Sequence, residues 1–245
     1  MWRTVGLRYK HANHHRTFKN LYVRSAYKNT RHLMNLSEAT LESFKAVYRE
    51  VGPLRYQMAN ADCVPTTVVN ALLFVTRQTL PHRLMRLIWA SSLDQRGGTG
   101  WVCSQILSDV LNAWFTMSSY DRELQTLADF RSRVKQGKDV SLKRNNALLT
   151  TLNSGGVVCL TTEKGGHYAL LHSHNQGKDF YGFDPTWLGP RKGKAALEKK
   201  AALEKSDATF GMVNMEWTRE ELQTILEDEN NQFIHLISPR AASEA

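Results

Sequence analysis

The chain has 245 residues, enough for one large domain or two small ones, and its 42% hydrophobic content is typical of a folded protein and not of a disordered one. Its three cysteines are too few and too widely spaced for a disulfide framework or a structural zinc site. The absence of a long apolar run and of a secretory signal predicts a cytoplasmic protein without a membrane span.

The net charge of +9 is concentrated at the start of the chain. Residues 1–37 contain eight Lys or Arg and no acidic residue, whereas the remainder contains 24 basic and 23 acidic residues. We therefore predict a basic N-terminal arm over residues 1–36 and a separate domain over residues 37–240. Aromatic residues lie among the cations of the arm, a combination that could bind an acidic partner or nucleic acid. The alternative is a solvated extension whose aromatic residues pack on the domain.

The first part of the domain has the apolar periodicity of helices. Helices are predicted over residues 37–52, from Pro65 onward, and over 81–93, 101–115 and 121–137. The first of these also has a favourable N-terminal cap at Ser37 and a Gly-Pro stop after it. The last, residues 121–137, is expected to be the most exposed.

After residue 150 the pattern changes to that of β-strands. Strands are predicted over residues 155–162, 167–174, 178–184 and 231–238. Helices followed by an antiparallel sheet predict an α+β fold. The hexapeptide KAALEK occurs twice over residues 194–205, which predicts an exposed helical insertion between strands.

A turn at Asn175-Gln176-Gly177 joins the strands that carry His167 and Asp184. With a two- or four-residue loop these two side chains share one face of the sheet, at a Cβ separation of roughly 5–8 Å. A three-residue loop would place them on opposite faces, because each one-residue shift in register reverses the direction of a side chain.

Cys63 stands immediately before an apolar run with helical spacing. A helix N-terminus favours a thiolate, and a neighbouring histidine activates it further. The preceding Asp62 opposes a second negative charge, so we expect its side chain to cap the helix or to bond the backbone. Gln57 could donate an N–H to a developing oxyanion, beside the backbone N–H of Cys63.

Together these motifs resemble those of the papain-like cysteine peptidases. The segments DCVPTTVVNAL, GGHYALL and YGFDP are most similar to the branch that includes the bacteriocin-processing peptidase domains, over roughly residues 50–190. The resemblance implies that Cys63 is the nucleophile, His167 the general base and then acid, Asp184 the group that orients His167, and Gln57 part of the oxyanion hole. It also implies a helical half and an antiparallel-sheet half with the site in the cleft between them, and no cofactor.

Two positions depart from the pattern of the family. Val64 stands where many members have glycine, and Thr67 stands where many have a second cysteine. The implied function is hydrolysis of an amide bond in a peptide or protein substrate. The same residues would serve an acyl transferase or a deamidase, and an inactive papain-like binding module that uses the basic arm is a further alternative.

The remaining cysteines and histidines are predicted to be structural. Cys103 and Cys159 lie in helix and strand patterns and are expected in the core. His172 and His174 are expected on one strand face, but no third ligand accompanies them, so no metal site is predicted.

Overall fold

A computed structural model describes most of the chain after the N-terminal region. It covers residues 38–58, 61–94, 99–118, 125–140, 142, 147–162, 167–185, 211–228 and 233–240. The predicted arm and the predicted insertion over residues 194–205 both lie outside these ranges. All described residues belong to one compact unit, Leu36–Ala245.

Four predicted helices are confirmed, with small changes in their bounds. They are α1 (Glu38–Val51), α2 (Cys63–Thr76), α3 (His82–Ser92) and α4 (Trp101–Ser118). Three shorter helices follow, α5 (Gln125–Ala128), α6 (Ala147–Asn153) and α7 (Arg219–Glu227), together with a 3-10 turn at Gly137–Val140. Eleven of the fourteen residues of α2 are buried, as expected for a helix that is apolar nearly all round. None of the helices in the described ranges has both the length and the apolar character that crossing a membrane requires.

The strands form one antiparallel sheet in the order β1-β6-β2-β3-β4-β5. They are β1 (Phe130–Lys135), β2 (Val157–Thr162), β3 (His167–Asn175), β4 (Asp179–Phe183), β5 (Met215–Thr218) and β6 (Ile234–Pro239). The four predicted strands correspond to β2, β3, β4 and β6. The fold is therefore α+β with the larger helices first, as predicted.

The prediction of a helix over residues 121–137 is wrong for most of that segment. Phe130–Lys135 is the edge strand β1, which pairs with β6 from Phe130↔Pro239 to Lys135↔Ile234. Its alternating basic residues, Arg131, Arg133 and Lys135, are typical of an edge strand that must not pair with another chain.

Both faces of the sheet are covered at its centre, since every residue of β2 is buried. An apolar core joins the sheet to α6 and α7 and includes Leu148, Val158, Leu160, Leu222 and Leu226. The helix α2 packs against β2 and β3. This second contact places the start of α2 near the start of β3, where His167 lies.

Candidate active site

Cys63 is the first residue of α2, and its side chain is half-buried. The preceding Asp62 accepts the Thr66 N–H at its backbone carbonyl, 3.0 Å away, and so begins the helix. Of the two expected roles of the Asp62 side chain, capping the helix is wrong, because its carboxylate makes no capping hydrogen bond. The reason is its backbone conformation, φ −87° and ψ 8°, which differs from the extended conformation in which an N-cap side chain reaches the N–H groups of the first turn.

His167 and Asp184 form a close pair at the ends of two neighbouring strands. The Nε2 atom of His167 lies 2.6 Å from Oδ1 of Asp184, and the side chains are only 11% and 16% exposed. At this distance the pair is a short, charge-assisted hydrogen bond. It fixes the plane of the imidazole ring.

The pair forms through a combination of turn and bulge that the sequence did not reveal. Asn175 pairs with Asp179, which leaves a three-residue turn containing Gln176 and Gly177, both with positive φ. The predicted consequence, opposite faces for His167 and Asp184, is wrong because β3 contains a bulge between Leu171 and Ser173. The extra residue in β3 restores the register that brings the two side chains together.

The second nitrogen of His167 faces the cysteine. The Cys63 side chain is close enough to the His167 ring to raise its pKa, and Asp184 occupies Nε2, so Nδ1 is the nitrogen that can interact with the thiol. Burial lowers the pKa of His167, but the hydrogen bond and negative charge of Asp184, together with the interaction of the ring with Cys63, outweigh burial and raise it to about 10. His167 is therefore an imidazolium at neutral pH. A cation in this position stabilises a thiolate.

Gln57 lies beside the same group of residues. Its backbone N–H donates to the carbonyl of Pro185, next to Asp184, at 2.8 Å. The side chain is 6% exposed, and its Oε1 has no hydrogen-bond partner among the residues that the structure describes. All four predicted site residues thus lie on segments that contact one another. His167 bonds Asp184, Gln57 bonds the neighbour of Asp184, and the helix that begins at Cys63 bonds the residue after His167.

Two polar residues of α2, which sequence reasoning missed as site residues, hold these segments in place. Thr67 donates its hydroxyl to the carbonyl of Tyr168, 3.1 Å away, and so connects α2 to the residue after His167. Asn70 bonds both backbone groups of Arg55, accepting its N–H at 2.7 Å and donating to its carbonyl at 2.8 Å. A signal was present, because residues 63, 67 and 70 have the i, i+4, i+7 spacing of one helix face.

The other cysteines and histidines have different surroundings. Cys159 is fully buried, as predicted, and burial raises the pKa of its thiol far above its ordinary value. Cys103 is half-buried, so its predicted core position is only partly correct. His172 stacks on Phe74 with ring centroids 4.4 Å apart and bonds the carbonyl of Met212.

His174 bonds Asn153 of α6, 2.9 Å away, and accepts the Gly177 N–H at Nδ1. His172 packs on α2, so the bulge sends the two histidines to different helices and not to one face as expected. Within the described ranges, no group of three or more His, Cys, Asp or Glu side chains is arranged to hold a metal ion.

Comparison with family models, with curated proteins and with solved structures finds no match to this chain. The geometry of the site and the resemblance of its motifs therefore carry the functional argument.

Proposed function

We propose that this protein is a papain-like, cysteine-dependent hydrolase that cleaves a peptide or other amide bond through an acyl-enzyme. The observation that carries the proposal is the position of His167, whose Nε2 lies 2.6 Å from Asp184 Oδ1 and whose ring interacts with the Cys63 side chain closely enough for the thiol to raise its pKa. A nucleophile beside a base that is itself oriented by a third group is the arrangement expected for nucleophilic catalysis. The burial of the His167–Asp184 pair supports the proposal further, because the attraction between the ring and the carboxylate is stronger away from water.

In the acylation step the Cys63 thiolate attacks the carbonyl carbon of the amide, and the carbonyl oxygen becomes an oxyanion. The Gln57 amide and the backbone N–H of Cys63 are the proposed donors to this oxyanion. Collapse of the tetrahedral intermediate breaks the C–N bond, and the His167 imidazolium gives its proton to the departing amine. The products of this step are a thioester on Cys63, a free amine and a neutral His167.

In the deacylation step His167 removes a proton from water, and the resulting hydroxide attacks the thioester carbonyl. The C–S bond breaks, the carboxylic acid leaves, and the thiolate–imidazolium pair is restored. An acyl transferase would use an amine in place of water at this point. A deamidase would act on a side-chain amide and release ammonia in the first step.

The proposal is tested first at the thiol, because no substrate needs to be known. Each cysteine of the full chain is alkylated by iodoacetamide over a range of pH, and mass spectrometry reads the three sites separately. Cys103 serves as an internal control because it is half-buried like Cys63, and Cys159 serves as the buried control. We expect Cys63 to react faster than Cys103 below neutral pH and to lose that advantage in His167→Ala.

Equal rates at Cys63 and Cys103, or an unchanged Cys63 rate in His167→Ala, would contradict the proposal. Either result would favour the inactive binding module. If Cys63 is activated, incubation with a peptide library and analysis of the products separates the three reactions. Hydrolysis yields a new carboxylate, transfer yields a new amide, and deamidation changes a side chain without cutting the backbone.

A further inference from the structure

Asp184 lies just beyond the paired part of its strand. The β3–β4 ladder ends at Leu170↔Phe183, and the β4–β5 ladder ends at Gly182↔Met215. Strand ends open more readily than strand centres. A carboxylate that must stay within 2.6 Å of an imidazole therefore needs its main chain held by something other than these ladders.

The side chain of Asn214 provides this support. Its Oδ1 accepts the backbone N–H of Asp184 at 2.7 Å, and its Nδ2 donates to the backbone carbonyl of Asp184 at 2.8 Å. The backbone N–H of Asn214 donates to the carbonyl of Gly182, 3.1 Å away. The side-chain amide thus replaces the strand partner that Asp184 lacks in the two ladders.

Asn214 is connected in turn to the segment that carries Gln57. The Tyr56 ring packs on Phe183 with centroids 5.2 Å apart, and burial raises the pKa of Tyr56 while the nearby Asn214 side chain lowers it, so the Tyr56 hydroxyl lies close to the Asn214 amide. The next residue, Gln57, bonds the carbonyl of Pro185. Asn214 is therefore located between the His167–Asp184 pair and the proposed oxyanion donor.

We propose that Asn214, supported by Tyr56, is a positioning residue for the His167–Asp184 pair. This inference rests on the proposed function and adds to it a residue that touches neither the substrate nor the reacting atoms. By fixing both backbone groups of Asp184, Asn214 keeps the carboxylate against Nε2 of His167. The imidazole is then held with Nδ1 toward Cys63, which is the orientation that activation of the thiol requires.

The chain contains a matched control for the loss of such a clamp. Asn112 accepts the Ser132 N–H at 2.8 Å and donates to the Ser132 carbonyl at 2.9 Å, the same pair of bonds with the same geometry. Ser132 lies in β1, whereas Asp184 follows β4, which neighbours the opposite edge strand β5. Asn112→Ala therefore removes an equivalent clamp far from Cys63.

The experiment measures the rate of Cys63 alkylation at mildly acidic pH in the full chain. We expect Asn214→Ala to lower this rate about tenfold, because a displacement of a reacting group by about 1 Å can cost on the order of a hundredfold. Tyr56→Phe keeps the ring but removes the hydroxyl, and we expect about a threefold loss, as for one hydrogen bond. Asn112→Ala should leave the Cys63 rate unchanged, although it lowers the melting temperature as Asn214→Ala does.

A double-mutant cycle distinguishes positioning from a general loss of stability. If Asn214 acts through Asp184, then Asn214→Ala causes no further loss in an Asp184→Ala background. A full additional loss there, or a wild-type rate in a folded Asn214→Ala, overturns the inference. If Asn214→Ala does not fold, Tyr56→Phe decides, since a wild-type rate in that variant overturns it equally.

The two proposals fail in different ways. If wild-type Cys63 is no more reactive than Cys63 in His167→Ala, the proposed function itself is wrong. If wild-type Cys63 is activated but does not respond to Asn214 or Tyr56, only the positioning role is wrong.

Discussion

The Nε2 atom of His167 and the Oδ1 atom of Asp184 lie 2.6 Å apart although the turn between their strands contains an odd number of residues. The bulge between Leu171 and Ser173 compensates for the turn, so that two irregularities together preserve one register. Bulges that redirect a side chain next to a functional site are common in sheets. In this protein the bulge determines whether the proposed base and its orienting carboxylate meet.

The charge state of His167 should depend on Asp184. Asp184→Asn keeps a hydrogen-bond acceptor but removes the negative charge that raises the pKa of His167 to about 10. Burial lowers the pKa of His167 and is no longer opposed by the Asp184 charge, so the imidazolium should lose its proton at a lower pH. NMR titration of the His167 ring measures the midpoint directly. An identical midpoint in both proteins would show that the Asp184 charge is not the cause.

The hydroxyl of Thr67 should matter for the site and not only for stability. Thr67→Val removes the bond to the Tyr168 carbonyl, leaves a buried acceptor without that donor, and should cost about 1–3 kcal/mol in unfolding free energy. We also expect the Cys63 alkylation rate to fall, because α2 is released from the strand of His167.

Thr76→Val is the control for Thr67→Val, since that hydroxyl is buried in the same helix and bonds Leu72 within it. A similar fall of the Cys63 rate in both variants would contradict a specific link between Thr67 and the site. Chemical denaturation of each variant gives the stability part of the comparison.

Gly182 should tolerate no side chain. A Cβ at this position would lie 2.2 Å from the Leu170 carbonyl oxygen and 2.7 Å from the Met215 side chain. The first of these contacts is with backbone. A side chain at Gly182 would therefore force β3 and β4 apart at a point two residues before Asp184. We expect Gly182→Ala to lower the free energy of unfolding by about 3 kcal/mol or more.

Gly100→Ala is the matched control, because nothing lies within 4 Å of its added Cβ. Its effect should stay within about 1 kcal/mol, because Gly100 is the N-cap of α4, where alanine is somewhat less favourable than glycine. Urea denaturation of both variants tests the pair. Equal stabilities would mean that β3 and β4 can separate at Gly182 without cost.

Two buried histidines should make the fold sensitive to acid. Burial lowers the pKa of His172 to about 4 and that of His235 to about 3, and neither ring nitrogen of His235 has a hydrogen-bond partner within the described ranges. Below pH 6.5, about the pKa of histidine in an unfolded chain, these two histidines bind protons in the unfolded state but stay neutral in the folded state. The free energy of unfolding should therefore fall as the pH drops from about 6.5 to about 4, by up to about 1.4 kcal/mol per pH unit for each histidine.

His235→Leu tests the contribution of one of these groups. The substitution removes one of the two buried rings that stay neutral in acid. The slope of the unfolding free energy against pH should therefore decrease by the contribution of one histidine. Denaturation curves at several acidic pH values measure the slope. If the slope is unchanged, His235 does not resist protonation in the folded state.

The sequence by itself determined the elements whose physical cause is local. The apolar spacing of α1 to α4 and the apolar runs of β2, β3 and β6 identify these elements, because burial of one face or of both faces requires such patterns. The order of helices and strands was sufficient to predict the α+β class. The candidate residues Gln57, Cys63, His167 and Asp184 were also named from motif and spacing alone.

Only the tertiary structure decided the features that depend on contacts between distant segments. The strand β1 forms because it pairs with β6, and the alternation of basic residues within residues 130–135 is too short to predict that pairing. The bulge in β3 and the bonds from Asn214 to Asp184 join residues whose meeting depends on the register of the whole sheet. A one-residue change of register reverses every side chain, so the sequence could suggest candidate residues for a site but not the geometry in which they meet.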